Sequence, residues 1–440
     1  MRIVVYSTSS NQVGAAKQIM IPSCADSWDY VAGLYPEDEI IYVINGSSGV
    51  GTDTDEHGNI INPPGKVRFI VLDRMSSVDE FVDQISALNP DVVVSLSDMG
   101  LPDWNSIKDG LIGEELEAKG IHTIFNRTFT SIAAFDKWRT HIVLDINGFS
   151  FARGIYVHHN LLWEEKTNPA VLNNVYKEYI LKRISRNFNY PLIMKDTTGA
   201  GSMGIKVLKN YEEAEAAVLD PDTNADFMVE EMIIGEQFGC EVHGTEGQYS
   251  VLPPFQFSTN SEGVTEPMKS VKFGPVTDPA YHIPELQKEI RRMAEVFHFG
   301  PTAEVDLAFR DGKWYVIEIN PRFSGMTKAC AIMEQRNPYQ IVIDPAEGVF
   351  KDYSDPKNCK YTISFKSFKV SEENISEIYK QEHVKNIWYV SGYLASFVEI
   401  VLGGFDSAEE IIPCMNSLNQ KFPGLVDPGV IEHAQSVIGH

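Results

Sequence analysis

Cysteine is scarce and unpatterned in this chain of 440 residues. Five are present, Cys24, Cys240, Cys330, Cys359 and Cys414, an odd number with no CxxC spacing. Disulfide frameworks and zinc knuckles need regular pairs, so reduced thiols in a cytoplasmic setting are expected. Long apolar runs are missing as well: none approaches the roughly 18 residues that a membrane-spanning helix needs. The chain opens directly on the strand-like RIVVYS, so no secretory leader is expected. Basic residues are in deficit, 37 Lys and Arg against 61 Asp and Glu, for a net charge of −24. That balance argues against nucleic acid or an anionic membrane as partner, while leaving room for a small phosphate site lined by lysines. Internal repeats and low-complexity tracts are absent. The remaining composition, 43% hydrophobic and 22% charged, is that of a globular protein with a large core in roughly two to four structural units.

The most informative stretch is 304–322, EVDLAFRDGKWYVIEINPR. EVDLAFR and WYVIEIN each roughly alternate apolar with polar residues, and Asp311-Gly312 between them is a strong hairpin signal. With a connection of three residues, even-numbered positions pair with even-numbered ones. Glu304, Asp306, Glu318 and Asn320 then share a face, and Val305, Leu307, Ile317 and Ile319 take the other. A strict two-residue turn would separate Asp306 from Glu318, so this reading requires an odd loop or a bulge. Carboxylates and an amide so close together repel one another unless a cation lies among them. Hard oxygen donors of this kind suit Mg²⁺ shared with substrate phosphates. A solvated hairpin face would account for the acids alone, but not for the terminal Asn320-Pro321-Arg322, an amide, a rigid stop and a permanent cation.

Upstream, 1–125 alternates short β-branched stretches (RIVVYS, EIIYVING, KVRFIVLD, PDVVVSLS, HTIFN) with helical ones such as SVDEFVDQISAL. That order predicts a parallel-sheet α/β unit, with ligand positions at the strand ends Ser7–Asn11 and Ser95–Asp98. NGSSGVG at 45–51 has no Walker lysine and no following helix start, and reads as a plain loop. A helix is predicted over Thr130–Asp145, carrying Asp136-Lys137-x-Arg139. Pro191–Lys195 reads as a short buried strand ending in a lysine that needs a partner. The following Gly199, Gly201 and Gly204 can bring backbone N–H groups against an anion. IKVL and YEEAEAAVL then complete a small α+β lid. Lys269 and Lys272 fall in a loop before the helix IPELQKEIRRMAEVF, and taken alone are solvated loop lysines. After 345, YTISFKSFKV, WYVSGY and SFVEIVLGG read as strands and SAEEIIPCMNSLNQKF as an amphipathic helix.

An aspartate on one strand followed by VIEINPR on the next resembles the metal-binding end of the ATP-grasp superfamily of carboxylate ligases, and the resemblance extends over 126–345. It implies an α/β and α+β architecture. Its parts are an N-terminal Rossmann-like parallel-sheet domain (1–125), a central region with the small lid (126–229), a large antiparallel nucleotide and metal subdomain (230–345) and a small C-terminal α+β unit (346–440). ATP and Mg²⁺, or Mn²⁺ in its place, are the implied cofactors, with Asp306, Glu318 and Asn320 on the metal. Lys137 and Lys195 would meet the phosphates under the loop of Gly199, Gly201, Ser202, Met203 and Gly204. Glu230, Glu231, Met232 and Ile233 would surround the adenine, and Glu236 or Gln237 would hold the ribose. Arg322 would steady an oxyanion, and Lys272 would touch the γ-phosphate. The implied reaction joins a small carboxylate and an amine, such as amino acids or a small peptide, through an acyl phosphate. A homodimer is compatible with stand-alone ligases of this size. A thiol as second nucleophile, a carboxylase-type chemistry and a non-catalytic nucleotide-binding homologue are the alternatives, although the glycine loop departs from that of biotin carboxylases.

Overall fold

The computed structural model describes residues 1–8, 28–45, 53–54, 60–61, 65–73, 75–97, 105–199, 204–266, 268–370, 372–391 and 396–439. The chain divides into two compact units, one of 1–132, 236–306 and 319–440, the other of 133–235 and 307–318.

The first unit begins with the expected parallel sheet. Its order is Arg68–Leu72, Glu39–Asn45, Arg2–Ser7, Val92–Ser95, Thr123–Ile124, and each neighbouring pair is parallel. Ile3, Val4, Val5 and Tyr6 are all buried, because a parallel strand covered on both faces can be apolar at every position. The helix Val78–Ala87 starts at a capping box, Ser77 and Glu80 each satisfying the other's backbone N–H. The plain loop expected at 45–51 lies outside the described residues beyond Asn45.

The second sheet is largely antiparallel. Its order is Lys313–Asn320, Thr302–Arg310, Glu236–Thr245, Phe255–Phe257, Lys272–Gly274, Tyr361–Ser367, Ser396–Phe405, Val384–Ser391, with Gln248–Val251 paired to Glu236–Thr245. The three strands expected after 345 are therefore continuous with the sheet that carries the hairpin. Their apolar face, including Ile363, Phe365, Ile400 and Leu402, packs against Ile411, Met415, Leu418 and Val430 of the C-terminal helices. Lys272, read as a loop residue, is instead the first residue of a strand, because Phe257 and Ser364 flank it in register.

The other unit is built on four antiparallel strands in the order Lys206–Leu208, Leu192–Asp196, Phe227–Glu231, Gly154–Val157. Helices Val175–Asn187 and Tyr211–Val218 cover it, and Ile180, Ile184, Leu192, Met194, Ala214 and Val229 form its core. The single helix expected over Thr130–Asp145 is two, Thr128–Phe135 and Lys137–Ile146. The break is Asp136, which is extended and caps the second helix by accepting from the N–H groups of Trp138 and Arg139. A short polar side chain able to satisfy two orphan donors competes with helix continuation there.

The 304–322 hairpin also corrects an expectation. Its turn has two residues, not three: Asp311 and Gly312 lie between the strands with φ of 52° and 75°, the left-handed pair that suits strand twist. Near the tip the rings of Phe309 and Trp314 lie 4.8 Å apart. At the base, the Asn320 amide approaches Asp306 Oδ2 at 3.4 Å. The first contact joins an odd to an even position and the second joins two even ones.

Candidate active site

In the second unit, two lysines from different elements are buried against carboxylates. Lys137 is the first residue of its helix, and its backbone N–H is fixed on the Thr197 carbonyl at 2.8 Å. The side chain, though charged, is only 11% exposed. Its ammonium lies 2.9 Å from Glu318 and also donates to the Gly199 carbonyl. Lys195, the last residue but one of the strand Leu192–Asp196, is 6% exposed and pairs with Glu230 on the neighbouring strand. The register sets Lys195 opposite Met228 and Glu230 opposite Ile193, so the pair is diagonal across the ladder.

Sequence reasoning missed His141. It lies one turn beyond Lys137 on the same helix, hence on the same side, and its Nε2 is 3.2 Å from the second oxygen of Glu230. Burial would raise the Glu230 carboxyl, but Lys195 and His141 outweigh it and hold the group below its ordinary value. The available signal was the i, i+4 spacing of a histidine from a lysine inside an apolar stripe.

Of the glycine loop, Gly199 and Gly204 are described. Gly204 has φ +76°, and its Cα faces Asp196. Gly201, Ser202 and Met203 lie outside the described residues. Further along, the Met232 N–H is taken by the Pro191 carbonyl and the Glu231 N–H by Arg153 O. The Glu231 carboxylate accepts from Asn189. Among the described residues no acceptor is assigned to the Ile233 N–H.

In the first unit, Asp306 and Asn320 meet at the hairpin base. Arg322 Nη2 donates to Asn320 Oδ1 at 2.9 Å. Buried Asn126 clamps this base: its amide donates to the carbonyls of Thr302 and Pro321 and its oxygen accepts from the Gly300 N–H. The turn after Arg322 is held by Glu241, which accepts from Ser324 Oγ at 3.0 Å and Thr327 Oγ1 at 2.6 Å. His243 lies between Glu241 and Glu334. Burial alone would lower the imidazole, yet these two carboxylates raise it. Glu304, on the strand beside these groups, is pushed up by burial and by Glu241, against the opposing charge of Lys272. Glu236 accepts from Tyr281 OH at 2.6 Å and faces Gln256, while Gln237 is paired opposite Phe257. Lys269 is exposed on a local ion pair with Glu266. Nothing in the arrangement of the first unit or the second gathers three or more His, Cys, Asp or Glu side chains into a metal cluster among the described residues.

Residues 156–326 match the family model of the ATP-grasp domain. The chain has the ATP-grasp fold. A D-alanine–D-alanine ligase of Caldicellulosiruptor bescii is 24% identical over 251 residues, 54% of this chain and 65% of that protein, less than two thirds of its length. An L-amino acid ligase of Bacillus licheniformis superposes with a TM-score of 0.61 at 15% identity, over 95% of this chain and 97% of that one. The biotin carboxylase domain dimer of Hydrogenobacter thermophilus 2-oxoglutarate carboxylase, in complex with MgADP, ADP and bicarbonate, superposes with a TM-score of 0.62 at 15% identity, over 95% of this chain and 89% of that one. Among the described residues no helix is long and apolar enough to cross a membrane.

Proposed function

We propose that this chain is an ATP-dependent carboxylate–amine ligase, working through an acyl phosphate and releasing ADP and phosphate. The observation that carries the reading is the pair of buried lysines, Lys137 on Glu318 and Lys195 on Glu230. Burying an ammonium costs several kcal/mol, incompletely returned by one carboxylate, so such groups are more often retained for a ligand than for stability. A polyphosphate chain would supply the missing negative charge.

The donor set fits a hard divalent cation. Asp306, Glu318 and Asn320 offer oxygen atoms, and Glu318 also holds the Lys137 ammonium and Asn320 Oδ1 the Arg322 guanidinium. This is not a closed protein cage, which suits Mg²⁺ completing its shell with phosphate oxygens and water. When bound, the ion withdraws charge from the phosphoryl oxygens. Lys137, Lys195 and Lys272 neutralise what remains, and the loop of Gly199, Gly201, Ser202, Met203 and Gly204 excludes water. Glu230 accepts from the adenine amino group, Glu231 and Ile233 lend backbone groups, Met232 packs on the ring, and Glu236 or Gln237 takes the ribose.

A substrate carboxylate oxygen attacks the γ-phosphorus in line, and the bond to ADP breaks. The amine nitrogen then attacks the acyl carbon, the C–O bond to phosphate breaks, and the nitrogen gives up a proton. Arg322, charged at every working pH, steadies the oxyanion of that step. Positioning and fixed charge lower the barrier, with no covalent enzyme intermediate. The similarity to a D-alanine–D-alanine ligase and an L-amino acid ligase supports amino acids or small peptides as substrates. A homodimer is part of this reading.

The test is phosphate release from ATP and Mg²⁺ across a panel of amino acids, singly and in pairs, with mass detection. A carboxylate-dependent release with a product lighter than its parts by one water is expected. Glu318→Gln should reduce the release by about a hundredfold or more and leave the melting temperature nearly unchanged. ATP binding without stimulated turnover by any pair would instead favour a thiol acceptor or a non-catalytic protein.

A further inference from the structure

Three adjacent strands of the first unit's large sheet, Lys272–Gly274, Tyr361–Ser367 and Ser396–Phe405, alternate in an uneven way. One face is mainly apolar: Val271, Phe273, Ile363, Phe365, Val398, Ile400 and Leu402 sit under the C-terminal helices. The period of two sends the residues between them to the opposite face. There the register aligns Lys272 with Ser364 and Lys366 with Glu399. Ser364 is 2% and Glu399 7% exposed, and the serine hydroxyl donates to Glu399 Oε1 at 2.8 Å. The ammonium of Lys366 lies 5.0 Å from the Phe397 ring centroid and that of Lys272 5.7 Å from that of Phe257. Burial lowers the Lys366 ammonium pKa, with Glu399 opposing the shift and Lys272 adding to it. The electrostatic reach of Lys272 to Glu304 joins this strip to the end of the hairpin that carries Arg322.

A core face needs none of these charges, since the same strands supply apolar residues in plenty. The ammonium of Lys366 and the carboxylate of Glu399, set on neighbouring strands about 5 Å apart and flanked by an aromatic ring, match the two charges of an α-amino acid. We propose that Ser364, Lys366 and Glu399, beside the Lys272 that meets the phosphate, form the acceptor subsite, binding the amine substrate as a zwitterionic amino acid. Its carboxylate lies on Lys366 and its amino group on the Glu399 side. The proposal rests on the ligase reading and names the class of its second substrate.

The full chain is assayed with ATP, Mg²⁺ and a donor carboxylate, first with hydroxylamine and then with amino acids as acceptor. Hydroxylamine is small and uncharged, and captures an activated carboxylate as its hydroxamate without needing a charged subsite. Glu399→Gln and Lys366→Met are expected to keep hydroxamate formation within about twofold of the parent while raising KM for the amino-acid acceptor by about tenfold or more. Lys366→Arg, which retains the charge, should recover part of the loss. An unchanged acceptor KM in both variants, or equal falls with both nucleophiles, overturns the subsite. Hydroxamate from the parent protein but no condensation with any amino acid overturns it too, while leaving activation of a carboxylate intact. No ATP-dependent product with either nucleophile overturns the ligase reading and the subsite with it. Should Glu399→Gln fail to fold, as a melting curve would reveal, Lys366→Met decides.

Discussion

Lys195, Glu230 and His141 form the most consequential side-chain group in the second unit. Lys195→Met would leave Glu230 buried with His141 alone. The expected cost is about 3 kcal/mol of stability, read as a lowered denaturant midpoint, together with loss of ATP binding by calorimetry. Lys195→Arg should restore much of the stability. Asp109 provides a second test at this scale. Burial pushes its carboxyl up to about 6, against hydrogen bonds from Thr8 and Ser97. The folded protein therefore holds this proton more tightly than the unfolded chain does. The group is without penalty below the unfolded value near 4 and fully penalised above about 6. Stability should fall by roughly 3 kcal/mol between those limits from this group alone. Melting temperatures of the parent and Asp109→Asn, compared from pH 4 to 7, would show the difference between them narrowing or reversing as the pH rises. A constant difference would contradict the assignment.

At the scale of elements, the helix over Lys137–Ile146 shows how a local cap positions a distant group. Apolar periodicity extends across Asp136, which is why the sequence reads as one helix. The cap interrupts it and puts Lys137 at an N-terminus, where its N–H meets the Thr197 carbonyl. Asp136→Ala should cost about 1 kcal/mol and raise the KM for ATP, because the start of the helix would no longer be defined. Unchanged ATP kinetics would separate the cap from the site. The hairpin conveys a similar lesson. Asp311-Gly312 announces its turn and VIEINPR its chemistry, but the approach of the Asn320 amide to Asp306 at the hairpin base has no residue signature. It depends on how both strands settle in the sheet. The buried group of Glu241, His243 and Glu334 was equally illegible, since His243 lies 93 residues from Arg336, which closes it.

For the whole molecule, the proposed nucleotide binding is the property with the broadest consequence. A ligand that binds only the folded state stabilises it by about 2.7 kcal/mol at a hundred times its dissociation constant. ATP with Mg²⁺ should therefore raise the melting temperature, and GTP should do so less, because its O6 faces Glu230 where adenine presents a donor. An equal shift with both nucleotides would contradict the role given to Glu230. The sequence by itself determined the parallel first sheet, the lid strand ending in Lys195 and the residue types at the hairpin. Those follow from local periodicity, turn chemistry and spacing along the chain. Only the tertiary structure decided that His141 meets Glu230, that Lys272 stands in a strand beside Ser364, and that the strands after 345 extend the large sheet. Each depends on which segments become neighbours, and burial, pairing register and desolvation act between residues that the chain keeps far apart.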